Sequence, residues 1–94
     1  MGVIAAVTDS VLLAVASVPP GRVTSYGAIG RLVGAGPRVV ARVLAGRGDE
    51  VCWWRVIRAD GTIAPQVVER ASVLLAEEGV VVRDGRVDLR QYGA

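Results

Sequence analysis

The stretch that decides the fold is SYGAIGRLVGAGPRVVARVLA, residues 25 to 45. Ser25 is a good helix N-cap, and the apolar residues after it, including Ile29, recur at helical spacing as far as Gly34. Gly34 favours a tight turn. Pro37 can start another helix, because the first helical position needs no backbone N–H. Two short helices joined by a turn that contains glycine form a helix-turn-helix.

The second helix of this pair, predicted from Pro37 to Ala45, has two unlike faces. Three valines and a leucine form the apolar face, whereas the other face carries Arg38, Ala41, Arg42 and Ala45. Such a face can approach a phosphate-rich partner closely, because alanine adds little bulk and the guanidinium group binds phosphate oxygens in pairs. An ordinary amphipathic helix with solvated arginines is the alternative interpretation.

The composition predicts one soluble domain over residues 1–94. Apolar residues make up 52% of the chain, and no apolar run approaches the roughly 18 residues that a membrane span needs. The opening residues lack the pattern of a secretion signal, so we expect a cytoplasmic protein with no membrane partner. All eleven basic residues are arginine, and positions 22 to 47 hold five of them and no acid. This asymmetry favours a polyanionic partner, although a coding bias towards arginine would also produce it.

The rest of the chain predicts a mixed but mainly helical fold. The expected elements are a first helix from Thr8 or Asp9 to before Pro19, an extended segment over 51–57, a fourth helix from Pro65 to Gly79 and a hairpin around Asp84-Gly85. Helices followed by a terminal hairpin indicate an α+β class, specifically a winged helix-turn-helix DNA-binding domain.

The single cysteine, Cys52, lies directly before two tryptophans in the segment VCWWRVI. A catalytic thiol is usually activated by a histidine, a cation or a helix N-terminus, and the chain has no histidine. On an extended segment Cys52 and Arg55 would point to opposite faces, so the arginine is not expected to help. One cysteine without histidine cannot build a structural zinc site, and no phosphate-cradling motif is present. We expect no enzyme, no metal and no cofactor.

The tryptophans suit binding better than catalysis. In an extended segment Trp53 and Trp54 would face opposite ways, so one would pack in the core while the other lined a surface or pocket. A tryptophan beside a basic helix can stack on a nucleic-acid base, which contributes roughly 1–3 kcal/mol per base. Two core tryptophans are the alternative.

Four motifs follow one another along residues 8 to 82. They are VPPGRVTSYG at 18–27, GPR at 36–38 with VARVL at 40–44, CWWRVIRADG at 52–61 and LLAEEG at 74–79. In order and spacing they resemble the DNA-binding domain of the O6-alkylguanine-DNA alkyltransferases. Where those proteins carry Pro-Cys-His-Arg-Val, Cys52 takes the proline position, Trp53 that of the alkyl-accepting cysteine and Trp54 that of the activating histidine. The exchange of cysteine for tryptophan resembles the alkyltransferase-like proteins, which bind alkylated guanine without repairing it.

The resemblance implies roles for the matching residues. A tyrosine of the family crowds the phosphate of the target nucleotide and helps to rotate it out of the helix, and an arginine fills the vacated space; the latter is expected to be Arg38 rather than Arg42. Trp53 would form the floor of the pocket, Arg55 would tie its loop down, and Glu78 matches the family's glutamate. The implied DNA-binding residues are Tyr26, Arg38, Ala41, Arg42 and Ala45, and the implied alkylguanine pocket residues are Trp53, Trp54, Arg55 and Val67.

The function implied by the resemblance is recognition of damage without catalysis. Such a protein docks its helix-turn-helix in the minor groove, flips O6-alkylguanine out of double-stranded DNA and flags it for nucleotide excision repair proteins. A monomer suffices for this task. Residual alkyl transfer to Cys52 is one alternative, and an ordinary winged-helix transcriptional regulator is another.

Overall fold

The computed structural model describes residues 3–94, with side chains from residue 6 onward. The helices of two or more turns are α1 to α4, and a single turn, α5, lies near the C-terminus; two very short strands form the sheet. Their bounds are α1 Val3–Ala16, β1 Thr24–Ser25, α2 Tyr26–Val33, α3 Pro37–Arg47, β2 Val56–Ile57, α4 Val68–Glu77 and α5 Leu89–Tyr92. Within residues 3–94, no helix is long and apolar enough to cross a membrane.

The helix-turn-helix is formed by α2 and α3, as predicted. The Ser25 hydroxyl accepts a hydrogen bond from the Ala28 backbone N–H at 3.0 Å, which caps α2. At the other end Gly34 adopts the left-handed conformation, with φ of 75°, and the Ala35 N–H donates to the Gly30 carbonyl at 2.8 Å. A Cβ on Gly30 would collide with the Ala35 carbonyl oxygen, so this turn needs glycine at two positions.

A two-stranded parallel sheet joins two distant parts of the chain. Thr24 of β1 pairs with Val56 of β2, and Ser25 pairs with Ile57. The C-terminal segment then lies beside β1, where the Val23 N–H donates to the Tyr92 carbonyl at 2.9 Å. Strands of two residues carry no readable alternation, so the sequence did not predict this sheet.

Among the side chains of residues 6–94, the buried ones form two clusters, and β2 connects them. Successive strand residues point to opposite faces, so Val56 packs in one cluster and Ile57 in the other. The cluster between the first three helices contains Val11, Val15, Ile29, Val40 and Val56. The cluster beneath α4 contains Val23, Ile57, Ile63, Ala71, Leu75, Val80 and Val87.

Two predictions about element bounds were wrong. The first helix begins at Val3, so Thr8 and Asp9 lie inside α1 and cap nothing, because the alanine- and valine-rich residues before them continue the helix. The segment 51–57 is not extended throughout. Cys52, with φ of −77° and ψ of 64°, is the centre of an inverse γ-turn, and the 3-10 turn Trp53–Arg55 follows before β2 begins.

The predicted hairpin is reduced to a single tight turn. Asp84 and Gly85 both have positive φ, 50° and 72°, as a type I′ turn requires. Arg83 and Arg86 exchange two backbone hydrogen bonds across it, of 3.0 and 2.9 Å. The α+β, mainly helical, helix-turn-helix class is confirmed, with a wing of minimal size.

Candidate functional site

A cleft of about 410 Å³ lies between α3 and the start of α4. Trp53, in the 3-10 turn before β2, lines one side of the cleft, and Ala41 and Ala45 line it from the exposed face of α3. The segment that leads into α4 supplies a further wall, which includes Gln66 and Val67. The Trp53 indole is therefore half-buried and open towards the arginine-bearing helix, which leaves a planar, apolar surface available to a ligand.

Arg70, to which the sequence drew no attention, lies next to the Trp53 ring. Its guanidinium carbon lies 5.2 Å from the centroid of the indole ring, within the range of a cation–π interaction. Arg70 also lines the cleft, one helical turn beyond Val67. Val67 lies at the N-cap of α4, and the three-residue spacing from it to Arg70 in the first turn was the available signal.

Tyr26 lines the cleft from the first turn of α2. Burial raises the pKa of its phenol, and the nearby charge of Arg58 offsets part of this effect. The hydroxyl is therefore protonated at neutral pH and can donate a hydrogen bond. Sequence reasoning selected Tyr26 but gave no role to Arg58.

Trp54 and Arg55 do not line the cleft but lie behind it, around Glu78. The Trp54 Nε1–H donates to Glu78 Oε2 at 3.0 Å, and Arg55 Nε donates to Glu78 Oε1 at 3.0 Å. The Gly21 N–H also donates to Oε1, at 3.2 Å, and Arg55 Nη1 donates to the Val18 carbonyl at 2.8 Å. This network fixes the turn that presents Trp53.

The charges in this network stabilise each other. Hydrogen bonds from Arg55 hold the pKa of Glu78 below its ordinary value, although burial opposes this, and the same contact raises the pKa of Arg55. The two side chains are only 11% and 14% exposed, so water screens the pair weakly. The rings of Trp53 and Trp54 meet edge to face, with centroids 5.9 Å apart.

Cys52 faces away from the cleft. Its thiol donates to the Val15 carbonyl at 3.1 Å, near the C-terminal end of α1. The prediction that Cys52 and Arg55 point to opposite faces was wrong: the Cys52 sulfur is 3.9 Å from the Val18 carbonyl oxygen, to which Arg55 also donates. The γ-turn and the 3-10 turn bring the two side chains to the same side.

Arg38 and Arg42 are both exposed on α3, and neither lines the cleft. Arg42 lies instead in a neighbouring groove with Val39 and Arg47. Arg38 precedes Ala41 by three residues and Ala45 by seven, a spacing that puts the three on one stripe of an α-helix. Arg38 thus shares the face that borders the cleft.

Comparisons with known proteins agree with this architecture. The family model that describes the DNA-binding domain of 6-O-methylguanine DNA methyltransferase matches residues 6–80 of this chain. Relatives from Escherichia coli (strain K12) and Shigella flexneri, both named DNA base-flipping protein, are 37% identical over 87 residues. Those matches cover 83% of this chain and 66% of each relative, so the chain spans just under two thirds of their length.

Solved structures extend the likeness to the whole backbone. The structure of S. pombe Atl1 in complex with damaged DNA containing O6-carboxymethylguanine is 29% identical, with a TM-score of 0.88 over 96% of this chain and 95% of that one. A second S. pombe structure with DNA is 31% identical, with a TM-score of 0.82 and coverage of 100% and 98%. The Mycobacterium tuberculosis O6-methylguanine methyltransferase is 26% identical, with a TM-score of 0.67, and covers 90% of this chain and 53% of that one.

Proposed function

Because the chain belongs to the family of the 6-O-methylguanine DNA methyltransferase DNA-binding domain, we propose that it binds O6-alkylguanine in duplex DNA and leaves the alkyl group in place. The observation that carries the proposal is that the Trp53 indole lines the cleft. The resemblance in the sequence gives Trp53 the place of the family's alkyl-accepting cysteine. An indole offers no thiolate to accept an alkyl group, but its face can stack on a base.

Docking begins at α3. The small side chains of Ala41 and Ala45 let this helix approach a narrow DNA groove, and Arg38 on the same stripe supplies a cation to the DNA. Rotation of a guanine out of the stack costs a few kcal/mol, and an arginine inserted into the vacated space offsets part of it. Tyr26, at the edge of the cleft, crowds the backbone of the same nucleotide.

The flipped base then remains in the cleft. It stacks on Trp53, with Val67 on the rim and the Arg70 guanidinium beside the ring. Because Trp53 offers no thiol for alkyl transfer, the bound lesion is not consumed, and stacking on Trp53 slows its release. We infer that this long-lived complex is the signal read by nucleotide excision repair proteins. The solved complex of S. pombe Atl1 with DNA that contains O6-carboxymethylguanine supports the first step, binding of alkylated DNA.

The test is a comparison of two labelled duplexes that differ only by one O6-methylguanine. At matched salt the protein should bind the lesion duplex more tightly than the plain one. Trp53→Ala should lose about 2 kcal/mol on the lesion duplex, the value of one stacked base. It should change little on the plain duplex. Leu13→Ala, at a side chain that is 70% exposed on α1, is the control and should behave as the parent. Equal affinity of the parent protein for both duplexes would refute the proposal.

The same measurement separates the two candidate arginines. Arg38→Ala should weaken binding of the lesion duplex more than that of the plain duplex, because the inserted side chain stabilises only the flipped state. Arg42→Ala should weaken both duplexes equally, since a phosphate contact does not depend on the base. The opposite pattern would assign the insertion to Arg42.

Alkyl transfer to Cys52 is the enzymatic alternative, and members of this family do carry out alkyl transfer. The thiol of Cys52 points to the Val15 carbonyl and does not line the cleft. Mass spectrometry of the protein after incubation with a methylated duplex should therefore reveal no added methyl group. A stoichiometric gain on Cys52 would make the protein a transferase.

A further inference from the structure

Arg58 and Tyr26 are brought together by the register of the parallel sheet. Thr24 pairs with Val56 and Ser25 with Ile57, so the residues that leave the two strands next are Tyr26 and Arg58. Both strands run in the same direction, and their carboxyl ends therefore meet at one edge. That edge borders the cleft, because Tyr26 is part of its lining.

The Arg58 side chain is available for a ligand at this edge. It is exposed, and among the described residues it forms no ion pair within 4.0 Å. The nearby acid, Asp60, forms its hydrogen bonds with Thr62: its Oδ1 accepts from the Thr62 N–H at 3.0 Å and from the Thr62 hydroxyl at 2.6 Å. The pKa of Asp60 is lowered first by these hydrogen bonds and to a smaller extent by the charges of Arg86 and Arg58. The charge of Arg58 is nevertheless felt at the Tyr26 phenol, whose pKa it lowers.

We propose that Arg58 and Tyr26 together bind one phosphate of the DNA backbone at the edge of the cleft, and so hold the strand from which the guanine is rotated. The inference rests on the proposed function and adds a residue to it. Both side chains are donors at neutral pH: the phenol has one O–H and the guanidinium a planar fork of N–H groups that matches a phosphate. A phosphate fits better than a base, because Arg58 lies outside the lining of the cleft.

The decisive probe is a lesion duplex in which one phosphate next to O6-methylguanine is replaced by an uncharged methylphosphonate. Two such duplexes, modified on the 3′ or the 5′ side of the lesion, are compared with the unmodified one. The parent protein should lose about tenfold in affinity at one of these positions, as for a charged hydrogen bond. Arg58→Ala should lose about as much on the unmodified duplex and then respond clearly less than the parent protein to the methylphosphonate at that position, because only the Tyr26 contact remains.

Salt dependence gives a second readout that a purely structural role would not move. Loss of one phosphate contact should reduce the slope of log affinity against log salt by about 0.9 for Arg58→Ala. Arg58→Lys should keep the slope and recover part of the affinity, since lysine retains the charge but not the fork. Arg90→Ala, which removes the same charge from the exposed face of α5, should leave the methylphosphonate effect unchanged.

The outcomes are distinguishable from failure of the proposed function. If the parent protein prefers the lesion duplex but Arg58→Ala still responds fully to both methylphosphonates, the phosphate contact is overturned and lesion binding stands. If the parent protein does not prefer the lesion duplex, the proposed function itself fails. A clearly reduced response of Arg58→Ala at one position, with normal thermal unfolding, supports the contact.

Discussion

Trp53 and Trp54 alter the chemistry of the site in different ways. Under the proposed function, Trp53 offers a stacking surface in the cleft where the resemblance places the family's nucleophilic cysteine. Trp54 removes the base: its Nε1–H is a donor only and is bound to Glu78 at 3.0 Å, so it cannot accept a proton from a thiol. Each exchange alone is enough to weaken alkyl transfer.

Restoring the thiol alone should not restore efficient chemistry. We expect Trp53→Cys to transfer a methyl group from O6-methylguanine about a hundredfold more slowly than the double variant Trp53→Cys with Trp54→His, because a positioned base contributes at least that factor. Mass spectrometry of protein sampled over time from a methylated duplex measures both rates. Equal rates in the two variants would indicate that another group, such as Arg70, activates the thiol.

Arg70 should contribute to recognition through its plane as well as its charge. Its guanidinium carbon lies 5.2 Å from the centroid of the Trp53 ring, so a base that enters the cleft also meets the guanidinium. We expect Arg70→Ala to weaken binding of the O6-methylguanine duplex by about 1–2 kcal/mol, the range of a desolvated cation–π contact. Arg70→Lys should keep more of the affinity for the lesion duplex than Arg70→Ala but less than the parent protein, since lysine retains the charge and cannot stack. The two-duplex binding assay measures both, and an equal loss on plain DNA would mean that Arg70 is only a phosphate contact.

At the scale of elements, local chemistry predicted the helix-turn-helix and long-range contacts set the rest. Ser25, Gly34 and Pro37 act through backbone groups a few residues away, which the sequence displays directly. The turn at 52–55 depends on Arg55 reaching Glu78 and the Val18 carbonyl, partners far away along the chain. No window of sequence around the tryptophans contains that information, so the segment was predicted to be extended.

In the candidate site, too, the sequence predicted some residues, whereas others depend on long-range contacts. The resemblance selected Tyr26, Trp53 and Val67, which all line the cleft. Arg70 and Arg58 were missed, because neither belongs to a local pattern: one becomes relevant through the turn that presents Trp53, and the other through the register of a two-residue strand pair.

The exposed face of α3 should tolerate bulk in the free protein but not in the complex. Ala41 is exposed and lines the cleft, so Ala41→Leu should leave thermal unfolding nearly unchanged. It should weaken binding to both duplexes by about 1–3 kcal/mol, because the larger side chain prevents close approach of the helix. Ala76→Leu, at an exposed position of α4, is the matched control. Unchanged affinity in Ala41→Leu would mean that α3 does not face the DNA.

At the scale of the whole molecule, Glu78 joins three parts of the chain that also build the site. Glu78 lies at the end of α4. Its carboxylate accepts hydrogen bonds from Gly21 in the loop after α1 and from Trp54 and Arg55 in the 3-10 turn Trp53–Arg55. Stability and presentation of Trp53 therefore depend on one ionised group. A change that discharges it should loosen the fold and the cleft together.

The pH dependence of unfolding tests this coupling. Arg55 holds the pKa of Glu78 below its ordinary value of 4.5, so the stabilisation is fully present above that pH and is lost as the pH falls through the lower pKa of the folded state. The chain has no histidine, so the free energy of unfolding should vary little between about pH 6 and 8.

Glu78→Gln should cost about 3 kcal/mol at neutral pH and lose less stability on acidification, because the amide does not titrate. Urea unfolding at a series of pH values measures this, with Glu77→Gln, at the exposed neighbouring residue, as the control. Parallel curves for the parent protein and Glu78→Gln down to about pH 3 would show that the carboxylate is not the group responsible.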